Sequence, residues 1–277
     1  MSSAIVPAAC SFLLLAQTAG PDEAARQERL QFMQDRAAEF TLLREGATEP
    51  LPLKKEPVLR YSNPERDSGT WDGATFLWLD GNRPVAAISF GIRHPKDAVF
   101  GELTTFIQTP LDCRKGQATA WSPQTGGLSP RLLPDAPPPA STPASRLTQM
   151  RSLARRFSAA CTFKEETTQL RLLPQPLYRY ADEEQGLLDG ALFALVVSND
   201  PEMFLTLEAT RDKDSDKHRW HYSLARMSSL KQAVQLDERE VWSVPGYYTI
   251  PAGERKAGPY VEAFQGNFVS ALPATSP

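Results

Sequence analysis

RYSNPERDSGTWDGATF, residues 60–76, returns as RYADEEQGLLDGALF, residues 179–193. Placing Asp72 over Asp189 aligns Gly73, Ala74, Phe76, Asn82 and Pro84 with Gly190, Ala191, Phe193, Asn199 and Pro201, six identities in thirteen ungapped positions. Ordinary composition would give about one. The echo widens in both directions. Arg60 and Tyr61 fall over Arg179 and Tyr180 with a small shift. Upstream, Arg29, Leu30, Met33, Ala37 and Phe40 fall over Arg146, Leu147, Met150, Ala154 and Phe157. Downstream, Trp121-Ser122 falls over Trp242-Ser243. The chain reads as two diverged copies of one unit.

Each copy is expected to open with a helix, because the stripe Leu30, Met33, Ala37, Phe40 and its counterpart recur at three- and four-residue spacing. Thr142 before Pro143 supplies a cap and a first-turn proline for the second helix. Strands follow. Ala74 to Leu79 and Val85 to Ile92 are joined by DGNRP, and Ala191 to Val197 and Met203 to Ala209 by SNDP, both hairpin-like. Ala86, Ile88 and Phe90, and then Met203, Leu205 and Leu207, alternate cleanly and are expected to face the helix. The expected fold class is therefore α+β: an internal duplication, each unit one helix on an antiparallel sheet of about five strands. This is a cystatin-like or nuclear-transport-factor-like order by analogy alone, with the units as a candidate pseudo-dimer.

The expected organisation is a signal peptide over 1–20, a first repeat over 21–121, a proline-rich linker over 122–144, a second repeat over 145–245 and an extension over 246–277. The linker holds seven prolines and no apolar periodicity, so it reads as extended chain. The apolar run from Ala4 to Ala16, followed by small residues and acids, predicts export to the periplasm or beyond, although no Lys or Arg stands near Met1. That run is short for a membrane span, and no later segment qualifies. With 30 basic and 33 acidic residues, a nucleic-acid partner is not expected. Cys113 and Cys161 are either one disulfide or two separate buried thiols.

Among residues able to do chemistry, Arg60 and Arg179 are candidate anion-binding groups beside the acids Asp72 and Asp189. The competing reading is a structural Arg–Asp pair, favoured because both copies keep it. Gly73 and Gly190 are expected to permit a bend or bulge. Trp71 has Leu188 as its counterpart, and with Trp78 it is a candidate aromatic patch for a ligand. Trp71, Trp78, Arg60 and Arg179 are thus the ligand-binding candidates. His218 and His221 lie three apart on a strand, hence on opposite faces, so no metal site is expected. DKDSDKH, residues 212–218, lacks the glycine and glutamate of a calcium loop. No local catalytic or cofactor motif is present, and no cofactor is expected.

The runs RLTQMRSLARRFSA, LRLLPQPLYRY and DGALFALVVSNDPEMFLTLEA resemble a family of exported bacterial proteins of unknown function, most strongly over residues 145–211. The resemblance implies export and carries no site. The expected function is a non-catalytic binding or structural module for a partner protein or cell-envelope component, with the cleft between the units as its site. The alternatives are a hydrolase or lyase on a cell-surface polymer, using Asp72 or Asp189 with a glutamate such as Glu102, and a carrier of a small apolar ligand. Burial of the Arg–Asp pairs in both units would remove the best acids from the enzyme reading.

Overall fold

Two tyrosines lying flat on two glycines explain the repeated phrase. In the computed structural model, which describes residues 21–63, 71–94, 96–212 and 217–271, Tyr61 stands directly across from Gly73, and Tyr180 across from Gly190. A Cβ on Gly73 would lie 2.1 Å from the Tyr61 ring, and one on Gly190 2.7 Å from the Tyr180 ring. The glycines make room for an aromatic ring; the strand also shifts register at Leu187/Asp189, beside Gly190, but runs regularly through Gly73. The expected signal peptide, together with Asp214 and Asp216, lies outside the described residues.

The first unit runs α1 (Pro21–Ala38), β1 (Phe40–Arg44), β2 (Leu59–Asn63), β3 (Trp71–Asp80), β4 (Arg83–Arg93), β5 (Ala98–Thr105), β6 (Leu111–Lys115) and β7 (Ala118–Trp121). β8 (Leu128–Leu132) follows. The second unit runs α2 (Pro143–Ala154), β9 (Phe157–Phe163), β10 (Glu166–Leu172), β11 (Tyr178–Asp182), β12 (Leu187–Val197), β13 (Asp200–Arg211), β14 (His218–Arg226), β15 (Lys231–Leu236) and β16 (Arg239–Val244). A short α3 (Ala252–Arg255) and β17 (Tyr260–Asn267) close the chain.

The α+β expectation is corrected. The chain is mostly β, with 52% of residues in strands and 15% in helix, and the second unit curls into a nearly closed, barrel-like sheet of eight strands. Its path is β16-β15-β9-β10-β12-β13-β14-β8, with β11 beside β12. β10 is what joins the two halves of this sheet. Among the described residues of the first unit, no strand takes that place. A single bridge, Leu53 to Trp78, marks the position, and the sheet splits into β1-β6-β7 and β17-β5-β4-β3-β2. Helices are too few and short to form a layer equal to the sheets, which is why a one-helix-per-sheet description fails.

Within each unit the periodicity places the core. Met33 and Ala37 pack with Phe76, Trp78, Ala86, Ile88 and Phe90. Met150 and Ala154 pack with Phe193, Leu195, Met203, Leu205 and Leu207. Thr142 accepts the Ser145 N–H and caps α2. The β3–β4 and β12–β13 hairpins carry register shifts at Trp78/Leu79 and Leu195/Val196, against Pro84 and Pro201, which have no N–H to offer the ladder.

The strands are buried on both faces because the units stack. Leu77 and Ala87 of the first pack against Leu192, Ala194, Phe204 and Met227 of the second, and Phe106 meets Phe204 edge-on at 5.6 Å between centroids. The units also exchange strands. β8, which follows the first unit, pairs with β14 of the second; β17, which follows the second, pairs with β5 of the first. The linker is thus partly a strand, and the extension has a counterpart. Cys113 and Cys161 are buried in separate cores and form no disulfide, and burial pushes the Cys113 thiol up to about 12.

Candidate functional site

The two sequence-predicted arginines are engaged by carboxylates in the same way. Asp72 accepts from Arg29 Nε at 2.6 Å and Arg60 Nη2 at 2.7 Å. Asp189 accepts from Arg146 Nε at 2.7 Å and from Arg179 Nε and Nη2 at 2.9 and 2.6 Å. The same Nη2 of each strand arginine also holds the helix: Arg60 donates to the Arg26 carbonyl within α1, and Arg179 to the Pro143 carbonyl at the start of α2. Each Asp is buried. Burial lowers the Arg60 pKa, whereas the hydrogen bond to Asp189 raises that of Arg179. These clusters clamp helix to sheet, and neither acid is open to a substrate. Trp78 is buried in the first core and offers no face to a ligand. Trp71 begins β3, and its side chain lies outside what the structure describes. His221 Nδ1 meets Thr210 Oγ1 at 2.8 Å, and no group of three metal-ligating side chains occurs among the described residues.

The site that the structure assembles lies between the units. It is found by asking where the two copies differ. Glu208 on β13 is held by the Tyr180 hydroxyl at 2.9 Å and by Arg83 of the first unit through two bonds of 2.9 and 2.7 Å. At the offset that superposes the copies, 117 residues, Gly91 stands for Glu208 and Asp200 for Arg83. The Arg83–Glu208 pair therefore has no counterpart of the same residue types on the other side of the joint. There, Tyr61, Gly91 and Asp200 border a cleft of about 200 Å³ that also takes in Glu102, Glu202 and Glu262.

Four carboxylates line this cleft, from three sources: Glu102 on β5, Asp200 and Glu202 at the start of β13, and Glu262 on β17. Glu102 and Glu262 are cross-strand partners. Like charges set directly opposite repel. Burial pushes Glu102 well above the usual carboxylate range against the hydrogen bond from Tyr260, and the neighbouring Asp200, Glu202 and Glu262 push it the same way as burial. Tyr260 donates to Glu102, and its ring stacks under the Arg226 guanidinium at 5.0 Å. Arg226 is itself spent on three carbonyls, of Ser228, Pro245 and Leu230. Glu102, β17 and Arg226 therefore tie both units and the exchanged strand into one joint.

A pH effect follows. The unfolded chain ionises Glu102 near 4.5, and the folded value is higher. Its contribution to stability is fully present below the unfolded value and is lost as pH rises through the folded one. Glu102→Gln is therefore expected to raise the thermal midpoint by a few degrees at about pH 8 and to change it little at about pH 4. Thermal scans of both proteins across pH check this; parallel curves would mean that Glu102 ionises normally.

Among the described residues, no helix is long and apolar enough to cross a membrane. No family profile, curated protein or solved structure matches the chain significantly. The sequence marks Glu102 only as a generic acid. The other cleft residues were missed, although the exchange of Arg83 for Asp200 and of Glu208 for Gly91 is written in the aligned copies.

Proposed function

We propose that this protein is a non-catalytic binding module that receives a positively charged group of a partner in the acidic cleft between its units. The observation that carries this reading is the broken symmetry of the joint. One side is filled by the Arg83 guanidinium, bidentate on Glu208 beside Tyr180. The corresponding side keeps the tyrosine, as Tyr61, and presents carboxylates around a cleft instead. A guanidinium is thus what this architecture already accommodates at the equivalent place, and carboxylate–guanidinium pairing is strong and directional. The chain's N-terminal pattern fits an exported partner such as an envelope component.

Agmatine, which carries a guanidinium and an ammonium, is the probe. Titration into the ¹⁵N-labelled protein is expected to shift the Gly91 and Gly101 amides saturably, with affinity falling as salt rises. The double variant Gly91→Glu/Asp200→Arg writes the closed side onto the open one and is expected to weaken binding by about tenfold. Glu262→Gln, a milder change in the cleft wall, is expected to weaken it less. Absence of saturable shifts, or equal binding by all three proteins, would overturn the reading.

A further inference from the structure

Glu102 faces acids on two sides of the cleft. Its cross-strand partner on β17 is Glu262, and Asp200 and Glu202 approach it from β13. On β4 its partner is Ser89, whose hydroxyl is already shared with Tyr61 and Thr75. The Tyr260 hydroxyl donates to Glu102. Arg226 of β14 stands over the Tyr260 ring, with its guanidinium nitrogens on three carbonyls. Burial and the three neighbouring acids favour the neutral carboxyl against the tyrosine bond.

Glu102 is nevertheless not sealed in. It keeps part of its surface open, as does Glu262, and both line the cleft. An entering cation therefore reaches the carboxyl whose ionisation its arrival favours. A positive charge within about 4–6 Å stabilises a carboxylate over its acid. Linkage makes the effect mutual: a cation that expels a proton is itself expelled by protons.

We propose that the cleft trades a proton for its cation: the Glu102 carboxyl is protonated while the cleft is empty in mildly acidic solution, and it releases that proton to water as a guanidinium or ammonium enters. This rests on the cation-binding reading above and adds its regulation, since acid empties the cleft and neutral pH fills it. Among the described residues that line the cleft none is a histidine. Agmatine keeps both its charges below about pH 9. Neither therefore mimics the titration of Glu102.

The test uses the full chain and agmatine. In the ¹³C-labelled protein, saturating agmatine is expected to lower the pH midpoint of the Glu102 side-chain carboxyl resonance by about one pH unit. Its affinity is expected to rise about tenfold between about pH 5.5 and pH 8. Calorimetry at about pH 6 in phosphate and in ACES, buffers that take up protons with different heats, is expected to show proton release on binding. Glu102→Gln, which has no such proton to give, is expected to bind with one heat in both buffers and with an affinity that no longer follows pH. The carboxyl midpoint, read in the unaltered chain, decides the matter if that variant does not fold. An unmoved midpoint, equal binding heats in both buffers, or proton release that survives in Glu102→Gln would overturn the exchange and leave the cation reading standing. No binding at any pH would overturn both.

Discussion

Asp189→Ala is expected to cost about 3–5 kcal/mol of stability, because removing one partner of a buried pair leaves the other charge uncompensated. Two guanidiniums lose their partner, since Arg146 and Arg179 both donate to Asp189. Arg146 carries more of the effect: its side chain is 8% exposed against 30% for Arg179. The helix clamp goes with it, as Arg179 also holds the Pro143 carbonyl at the start of α2. The thermal midpoint is expected to fall by about 10 °C. Adding Arg146→Met should recover part of the loss by removing the stranded charge. Asp237→Asn, at an exposed pair with Arg156 and compatible with the positive φ of 48° there, is the control and should leave the midpoint almost unchanged. Urea and thermal denaturation measure all three. A small loss in Asp189→Ala would mean that the cluster positions nothing.

Ending the chain after Lys256 is expected to be still more damaging, and to damage the first unit most. β17 and the residue that follows it supply that unit with buried Tyr260, Val261 and Phe268. Three such side chains are worth roughly 5–9 kcal/mol of burial, comparable to the stability of a whole domain. The truncation also strips the Trp121 indole of its acceptor, the Gly258 carbonyl, and leaves β5 as a bare edge. Bare edges recruit other chains. Hydrogen exchange should show protection lost over β2 to β5 and largely kept over β12 to β14, with aggregation at higher concentration. A single transition near the full-length midpoint would contradict this.

The sequence carried the parts of the fold in which apolar spacing decides the element. The stripes at Met33 and Met150 and the alternation of β4 and β13 were legible because each faces one core. β10 was not, since its residues are nearly all exposed and give no apolar period. β8 hid inside a proline-rich stretch and even contains Pro130, which a sheet tolerates there because the strand lies at the sheet's end. β17 was lost because its partner stands far upstream, beyond the reach of local pattern. A sequence does not say which ring will lie over a missing Cβ, so the repeated glycines suggest a bend or bulge and not the ring that each one accommodates. As for the candidate site, shared residues proved structural. The informative signal was the disagreement between the copies at 83 and 200 and at 91 and 208.

The exchange of β8 and β17 sets an order of events at the ribosome. The second unit finds its borrowed strand already made, so it is complete once residue 244 has emerged. The first unit, although synthesised earlier, waits with an open edge until residue 267. Domains usually fold from the N-terminus as they appear; this chain finishes its beginning last. A chaperone or export factor that held the early half unfolded would be working with that order rather than against it.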